Sequence, residues 1–261
     1  MRVDLVVGIV YTKEKLDSVQ INSAFPPTRW TAVLAVQREA DTDSTKNALA
    51  ELCGVYWYPL YSFARRLGHS PHDAQDLTQG FFHYVVNTGL FATADRELGK
   101  LRTFLLTTFR RYLSGVHDHN KAFKRGGQVQ IVSLDVELGE ERYVNEPADA
   151  VTPERLFERN WALSVLRSAL AALSESETKA GRGEQIAILT PFLSPDGEIC
   201  DTYQTVAAKL HTSEQAARQT VSRLRRKFRD FLRQEIADTL RAPTPEQVDD
   251  ELMSLREALQ G

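Results

Sequence analysis

The stretch from Thr202 to Arg233 constrains the chain more than any other. Two helical periods stand there with a short break between them. The first covers Thr202-Tyr203-Gln204-Thr205-Val206-Ala207-Ala208-Lys209-Leu210, the break is His211-Thr212-Ser213, and the second runs from Ser213 to about Arg233. At about 100° per residue, Ala217, Val221, Leu224 and Phe228 share one narrow apolar stripe, and Gln215, Arg218, Gln219, Ser222, Arg223 and Arg226 fall opposite it. Ala207 supplies the small side chain that two closely crossing helices need. This spacing predicts a helix-turn-helix. The second helix would fit a major groove, because amides and guanidinium groups match base edges and phosphates. Six basic residues between Ser213 and Arg229 (Arg218, Arg223, Arg225, Arg226, Lys227, Arg229) stand against one acidic residue, Glu214. The plainer alternative is a solvated basic helix packed on its neighbours.

Helical periodicity extends upstream to about Trp30, strand-like alternation is scarce, and no repeat is visible. The prolines of Phe25-Pro26-Pro27-Thr28-Arg29-Trp30 exclude helix before Thr28, which can cap a short helix through Val36. A second helix begins near Ser44, carries Leu49 and Leu52, and meets Pro59 in Val55-Tyr56-Trp57-Tyr58-Pro59-Leu60-Tyr61; Pro59 must kink or restart it. Gly68 reads as a helix stop and Ser70-Pro71 as the cap and first turn of the next helix. That helix puts Ala74, Leu77, Phe81 and Val85 on one face and Asp73, Asp76, Gly80 and His83 opposite, with Gln79 beside them. A loop from about Asn87 leads to a long helix, Leu101 to Lys124, with Leu101, Leu105, Tyr112 and Val116 as its apolar stripe. Gly126-Gly127 ends it.

That long helix is basic. Between Arg96 and Arg125, eight basic residues (Arg96, Lys100, Arg102, Arg110, Arg111, Lys121, Lys124, Arg125) oppose Glu97 and Asp118. His117 lies on the same polar side. Phe104, Phe109, Tyr112 and Phe123 are interleaved. Such a mixture suits a backbone track with base stacking on melted strand, or else a core stripe beside a solvated face.

Residues 128–153 read as an acidic, solvated, weakly structured linker. A last block opens at Thr152-Pro153-Glu154-Arg155, with Leu156, Leu163, Leu166, Leu170 and Leu173 along one face. A further helix should cover Gly183 to Leu193, before a turn at Ser194-Pro195-Asp196-Gly197. After Thr244-Pro245-Glu246, the stripe Val248, Leu252, Leu255, Leu259 marks an acidic amphipathic tail. It either folds back on a basic surface or binds a partner and tunes activity, or it packs for stability alone. The expected fold is therefore all-α, with two small helical domains. The divisions are an extension at 1–24, a first domain at 25–127, the linker at 128–153, a helix-turn-helix domain at 154–241 and a tail helix at 242–261.

Composition excludes several classes. Cys53 and Cys200 make neither a disulfide framework nor a four-cysteine zinc site. No apolar run reaches the roughly 20 residues of a membrane span, and the short run Leu5 to Tyr11 lacks a cleavage site, so the expected location is the cytoplasm. The net charge of −3 argues at face value against a polyanion partner. Its distribution, with basic helices beside acidic segments, argues the other way.

The chain resembles sigma factors of the extracytoplasmic-function type. Leu60-Tyr61-Ser62-Phe63-Ala64-Arg65-Arg66-Leu67-Gly68, followed by Asp73-Ala74-Gln75-Asp76-Leu77-Thr78-Gln79-Gly80-Phe81-Phe82, is similar to that family's region two. Tyr203 through Ser213-Glu214-Gln215 to Phe228 is similar to its region four. Phe-Pro-Pro-Thr-Arg-Trp, Tyr-Trp-Tyr-Pro-Leu-Tyr and Thr-Pro-Glu-Arg-Leu-Phe resemble a subgroup with a C-terminal extension. The resemblance covers about residues 25–241. It implies core RNA polymerase and promoter DNA as partners, with an anti-sigma or other regulatory protein left open. Asp73, Asp76, Gln79 and His83 would dock on polymerase, about 92–125 would open the minus-ten element, and the second helix of the helix-turn-helix would read the minus-thirty-five element. His211 departs from the pattern by standing where glycine is usual; a positive φ there would strain it, though histidine tolerates that conformation better than most residues.

No enzymatic chemistry is expected. Asp73 and Asp76 lack a partner base, phosphate loop or metal triad. His69 with His72 and His117 with His119 lack further ligands at metal spacing, and no Gly-x-x-x-x-Gly-Lys element exists, so neither metal nor cofactor is expected. Two other readings compete: a helix-turn-helix regulator acting without polymerase, and an interaction protein acting through its tail.

Overall fold

The computed structural model describes residues 43–88, 100–119, 136–144, 146, 152–193, 202–240 and 243–260. Every regular element among them is helical, in keeping with the all-α expectation. The helices are α1 (Asp43–Arg66), α2 (Pro71–Asn87), α3 (Leu101–His119), α4 (Val136–Val144), α5 (Pro153–Lys179), α6 (Gly183–Leu189) with a 3-10 turn Thr190–Phe192, α7 (Tyr203–Lys209), α8 (Glu214–Asp238) and α9 (Pro245–Gln260). The expected Thr28–Val36 helix, the Asn87–Lys100 loop, the Gly126-Gly127 stop, the 194–197 turn and Cys200 lie outside the described residues.

Of the described chain, residues 43–161 and 238–243 form one compact unit, and 162–237 with 244–260 form the other. The division falls inside α5, between Trp161 and Ala162, rather than at the foot of that helix as composition suggested. Phe157, Trp161, Ala162, Val165 and Ala169 are buried alongside the expected Leu156, Leu166, Leu170 and Leu173.

The first unit is an aromatic bundle of α1, α2, α3 and α4. Phe63 of α1, Phe81 of α2 and Phe109 of α3 are fully buried and interlock, with the Phe81 and Phe109 rings 4.9 Å apart edge to face. α1 is continuous through Pro59, so the proline does not restart the helix. The Ser62 hydroxyl donates to the Pro59 carbonyl and accepts from the Asn160 amide at 3.0 Å, which ties α1 to α5 in the core. Gly68 stops α1 at φ +96°. Ser70 then caps α2, its hydroxyl accepting from the Asp73 amide, with Pro71 in the first turn as expected. Residues 238–243 close this unit by an isolated antiparallel bridge, Lys100 to Leu240.

The segment 136–144 is not the solvated linker that its acidity suggests. It forms α4, which packs on α1. Gly139 lies over Trp57, where a Cβ would meet the indole at 3.3 Å, so only glycine fits without crowding. Glu140 accepts from Arg65 Nε at 3.0 Å, Arg65 Nη2 at 2.7 Å and the Tyr61 hydroxyl at 2.6 Å. Beyond the helix, Glu146 accepts from Tyr58 and Arg159. Glu140 and Glu146 are matched by cations distant in sequence, which local composition cannot reveal.

Candidate nucleic-acid interface

In the second unit, α7 and α8 form the expected helix-turn-helix. Thr202 caps α7 through the Thr205 amide, and Ser213 caps α8 through the Ala216 amide. The turn requires a positive φ, and His211 adopts +50° in the place usually held by glycine. Ala207 is buried, which lets the two helices approach. Val206 of α7 and Ala217, Val221, Leu224 and Phe228 of α8 form the core beneath. α8 extends to Asp238, one turn beyond expectation, because Leu232, Ile236 and Ala237 continue the buried stripe.

This packing leaves Gln215, Arg218, Gln219, Ser222, Arg223 and Arg226 exposed together on the opposite face of α8. Arg218 is held in place. Its Nε and Nη2 both donate to Glu214 Oε1, at 3.1 and 2.6 Å, and its guanidinium lies 4.5 Å over the Tyr203 ring of α7. Arg223 donates to the Thr220 hydroxyl.

Not every cation of α8 belongs to that face. Lys227 donates to Glu177 of α5, and Arg225 reaches the Phe192 carbonyl. Counting charge along the sequence therefore overstates what α8 presents outward. Glu177 is buried, and it also accepts from Arg182. Arg182, with Lys227, holds its carboxyl down at about 2 against the opposing effect of burial. Sequence reading passed over Glu177, and counted Arg225 and Lys227 with the other cations of the helix. One signal was available for Glu177: a carboxylate in the last turn of a helix opposes the helix dipole and needs cations nearby.

The first unit divides its expected residues more sharply. Arg110 and Arg111 are exposed on α3, Arg110 with Glu154 at 3.2 Å. Lys100 is half-buried at the bridge to Leu240. Arg102 must be removed from the expected DNA-contact set. It is 7 % exposed, donates to Glu158 at 2.9 Å and lies 4.3 Å over the Trp161 ring, so it is an internal cation. Phe104 and Phe109 are buried, and Tyr112 packs against Tyr84 and Phe81. Phe104 and Phe109 thus belong to the core, and Tyr112 packs at its edge. His117 lies within α3, its side chain outside the described residues, as are Lys121, Phe123, Lys124 and Arg125.

On α2, Asp73 and Asp76 are exposed and Gln79 and His83 half-buried. Each aspartate has a local partner: the Ser70 hydroxyl donates to Asp73 at 2.6 Å, and His72 lies 3.2 Å from Asp76. Gly80 does not belong to the open polar face. A Cβ there would stand 2.5 Å from the Tyr112 hydroxyl, so α3 covers this position.

The tail helix α9 buries Val248, Leu252 and Leu255 in the second unit, and Thr244 and Gln247 cap it reciprocally. Asp249 pairs with Arg233, beyond the exposed face at 215–226. The tail thus packs within the second unit.

Cys53 is buried, and desolvation pushes its thiol up to about 12, the state of an unreactive core cysteine. Among the described residues, no group of acidic, histidine and cysteine side chains could hold a metal, and no helix is long and apolar enough to cross a membrane. Comparison with family models, curated proteins and solved structures returns no match for this chain.

Proposed function

We propose that this protein is a sigma-type initiation factor that binds core RNA polymerase and directs it to promoters, with α8 reading duplex DNA. The observation that carries the reading is the face of α8. Six amide, hydroxyl and guanidinium side chains stand exposed together at the N-terminal half of the second helix of a helix-turn-helix. That is the half that enters a major groove. A separate helical unit with exposed aspartates on α2 and exposed arginines on α3 supports a second set of contacts, polymerase for the former and promoter DNA for the latter. No covalent chemistry is asked of the chain.

The test is co-purification with core polymerase, followed by transcription in vitro from a genomic promoter library. Polymerase-dependent initiation from a promoter subset is expected. Arg218→Ala with Arg226→Ala should weaken DNA binding and flatten its salt dependence by about one unit of slope per lost phosphate contact. Duplex binding without polymerase association would refute the reading.

That outcome would favour a helix-turn-helix regulator acting alone. One observation leans that way: Arg102, Phe104 and Phe109 are internal, which leaves fewer groups on α3 for an opened strand.

A further inference from the structure

The polar face of α8 can read bases only if the helix is fixed in rotation about its own axis. Its buried stripe of Ala217, Val221, Leu224 and Phe228 holds the helix against the core through close-packed contacts that carry no direction of their own. Side chains reach about 5–6 Å from a helix axis, so a 10° rotation displaces their tips by about 1 Å. Binding geometries hold to about 0.5 Å.

Two cations flank the stripe. At 100° per residue, Arg225 stands about 70° to one side of its centre and Lys227 about 90° to the other. The polar face lies roughly opposite the stripe. Each cation is tied to a different element. Arg225 Nη2 donates to the Phe192 carbonyl at 3.5 Å, at the end of the 3-10 turn. Lys227 Nζ donates to Glu177 Oε1 at 2.5 Å, in the last turn of α5. Rotation in either sense pulls one of the two away from its anchor.

The Glu177 anchor is itself restrained. Its side chain is 3 % exposed, and its second oxygen accepts from Arg182, which precedes α6. One buried carboxylate therefore joins the end of α5, the start of α6 and the flank of α8. The Lys227 it holds is next in sequence to Arg226 and four residues from Arg223, both on the exposed face.

We infer that Glu177 is a positioning residue for DNA reading: through Lys227 it sets the rotation of α8, and with it the register of Gln215, Gln219, Arg223 and Arg226 on the base edges. The inference rests on the proposed DNA-reading function. It predicts a loss of discrimination rather than of charge. Base contacts would lapse while phosphate attraction persists, because Glu177→Gln removes no cation.

The test uses the full-length chain, with and without core polymerase. Fluorescence anisotropy compares a duplex selected from a random pool with an unrelated duplex of equal length, well below the unfolding temperature of each variant. Glu177→Gln and Lys227→Gln should each lower the specific-to-non-specific affinity ratio about tenfold, the equivalent of one lost base contact. Non-specific binding by Glu177→Gln should stay within about twofold of wild type. Lys227 is half-exposed, so its variant keeps the test open if Glu177→Gln fails to fold. A folded variant that retains the wild-type ratio overturns the inference, and the cluster is then a stabilising one only. A wild-type chain that discriminates in neither form overturns the inference together with the proposed function.

Discussion

Replacing Glu140 by alanine should release α4 from the first unit while leaving the rest of that unit folded. The carboxylate accepts three hydrogen bonds, two from Arg65 and one from Tyr61. A hydrogen bond to a charged group contributes about 1.5–3 kcal/mol. Three on one acceptor do not add, and the Arg65 and Glu140 side chains are 17 % and 27 % exposed, so water replaces part of the loss. The net cost is about 2–3 kcal/mol. It falls locally, because a helix of nine residues has little stability of its own. Hydrogen-exchange mass spectrometry should find protection of the 136–144 amides reduced about 30- to 140-fold, with amides 56–64 of α1 unchanged. Arg65 holds the Glu140 carboxyl below its ordinary value of 4.5, with Tyr61 adding to the effect. The stabilisation is then complete above about 4.5 and fades as pH falls below it, so acid should bring wild type towards the variant. Unchanged protection of 136–144, or an equal loss in α1, would refute the assignment of Glu140 as the fastening of this helix.

Arg102→Met should destabilise the first unit by about 2–3 kcal/mol in denaturant titration, through the lost ion pair to Glu158 and the lost stacking on Trp161. It should leave the salt slope of DNA binding unaltered, since an internal cation touches no phosphate. Gly80→Ala should cost about 1–2 kcal/mol despite the gain of about 1 kcal/mol in helix propensity, and Tyr112→Phe in the same chain should recover the loss by removing the obstructing hydroxyl. The buried Glu177 carboxyl, held at about 2, stabilises the second unit fully above 4.5 and progressively less as pH falls towards 2. Its partners are half-exposed, which limits the effect to about 1–2 kcal/mol, and Glu177→Gln should flatten acid unfolding in that window.

What the sequence made legible was local. The caps at Ser70 and Thr244, the positive φ of His211 and the two-sided character of α8 depend on residues within a turn or two of one another. What it concealed depends on distant partners. Arg102 and Arg111 read alike on one helix, yet the first is buried because Glu158 and Trp161 come to it from more than fifty residues away. Glu140 and Glu146 look solvated until Arg65 and Arg159 are placed beside them. Gly80 fell on a polar face by its angle, but its missing side chain marked a close approach by Tyr112. Along α8, the wheel separated stripe from polar face correctly and could not tell that two flanking cations are tied to other elements of the unit.

The bridge between Lys100 and Leu240 has a consequence for how the protein is made. Its N-terminal unit is not one continuous run of chain. The polypeptide leaves that unit after residue 161 and returns only at 238–243. A ribosome that has just released residue 161 has supplied α1 to α4 and the first third of α5, but not the segment whose Thr239 carbonyl accepts from the Leu101 amide. At about 5–20 residues per second, roughly 4–16 s of further synthesis separate the two. During that interval the start of α3 waits for its partner, and the nascent unit must hold together without that closing segment.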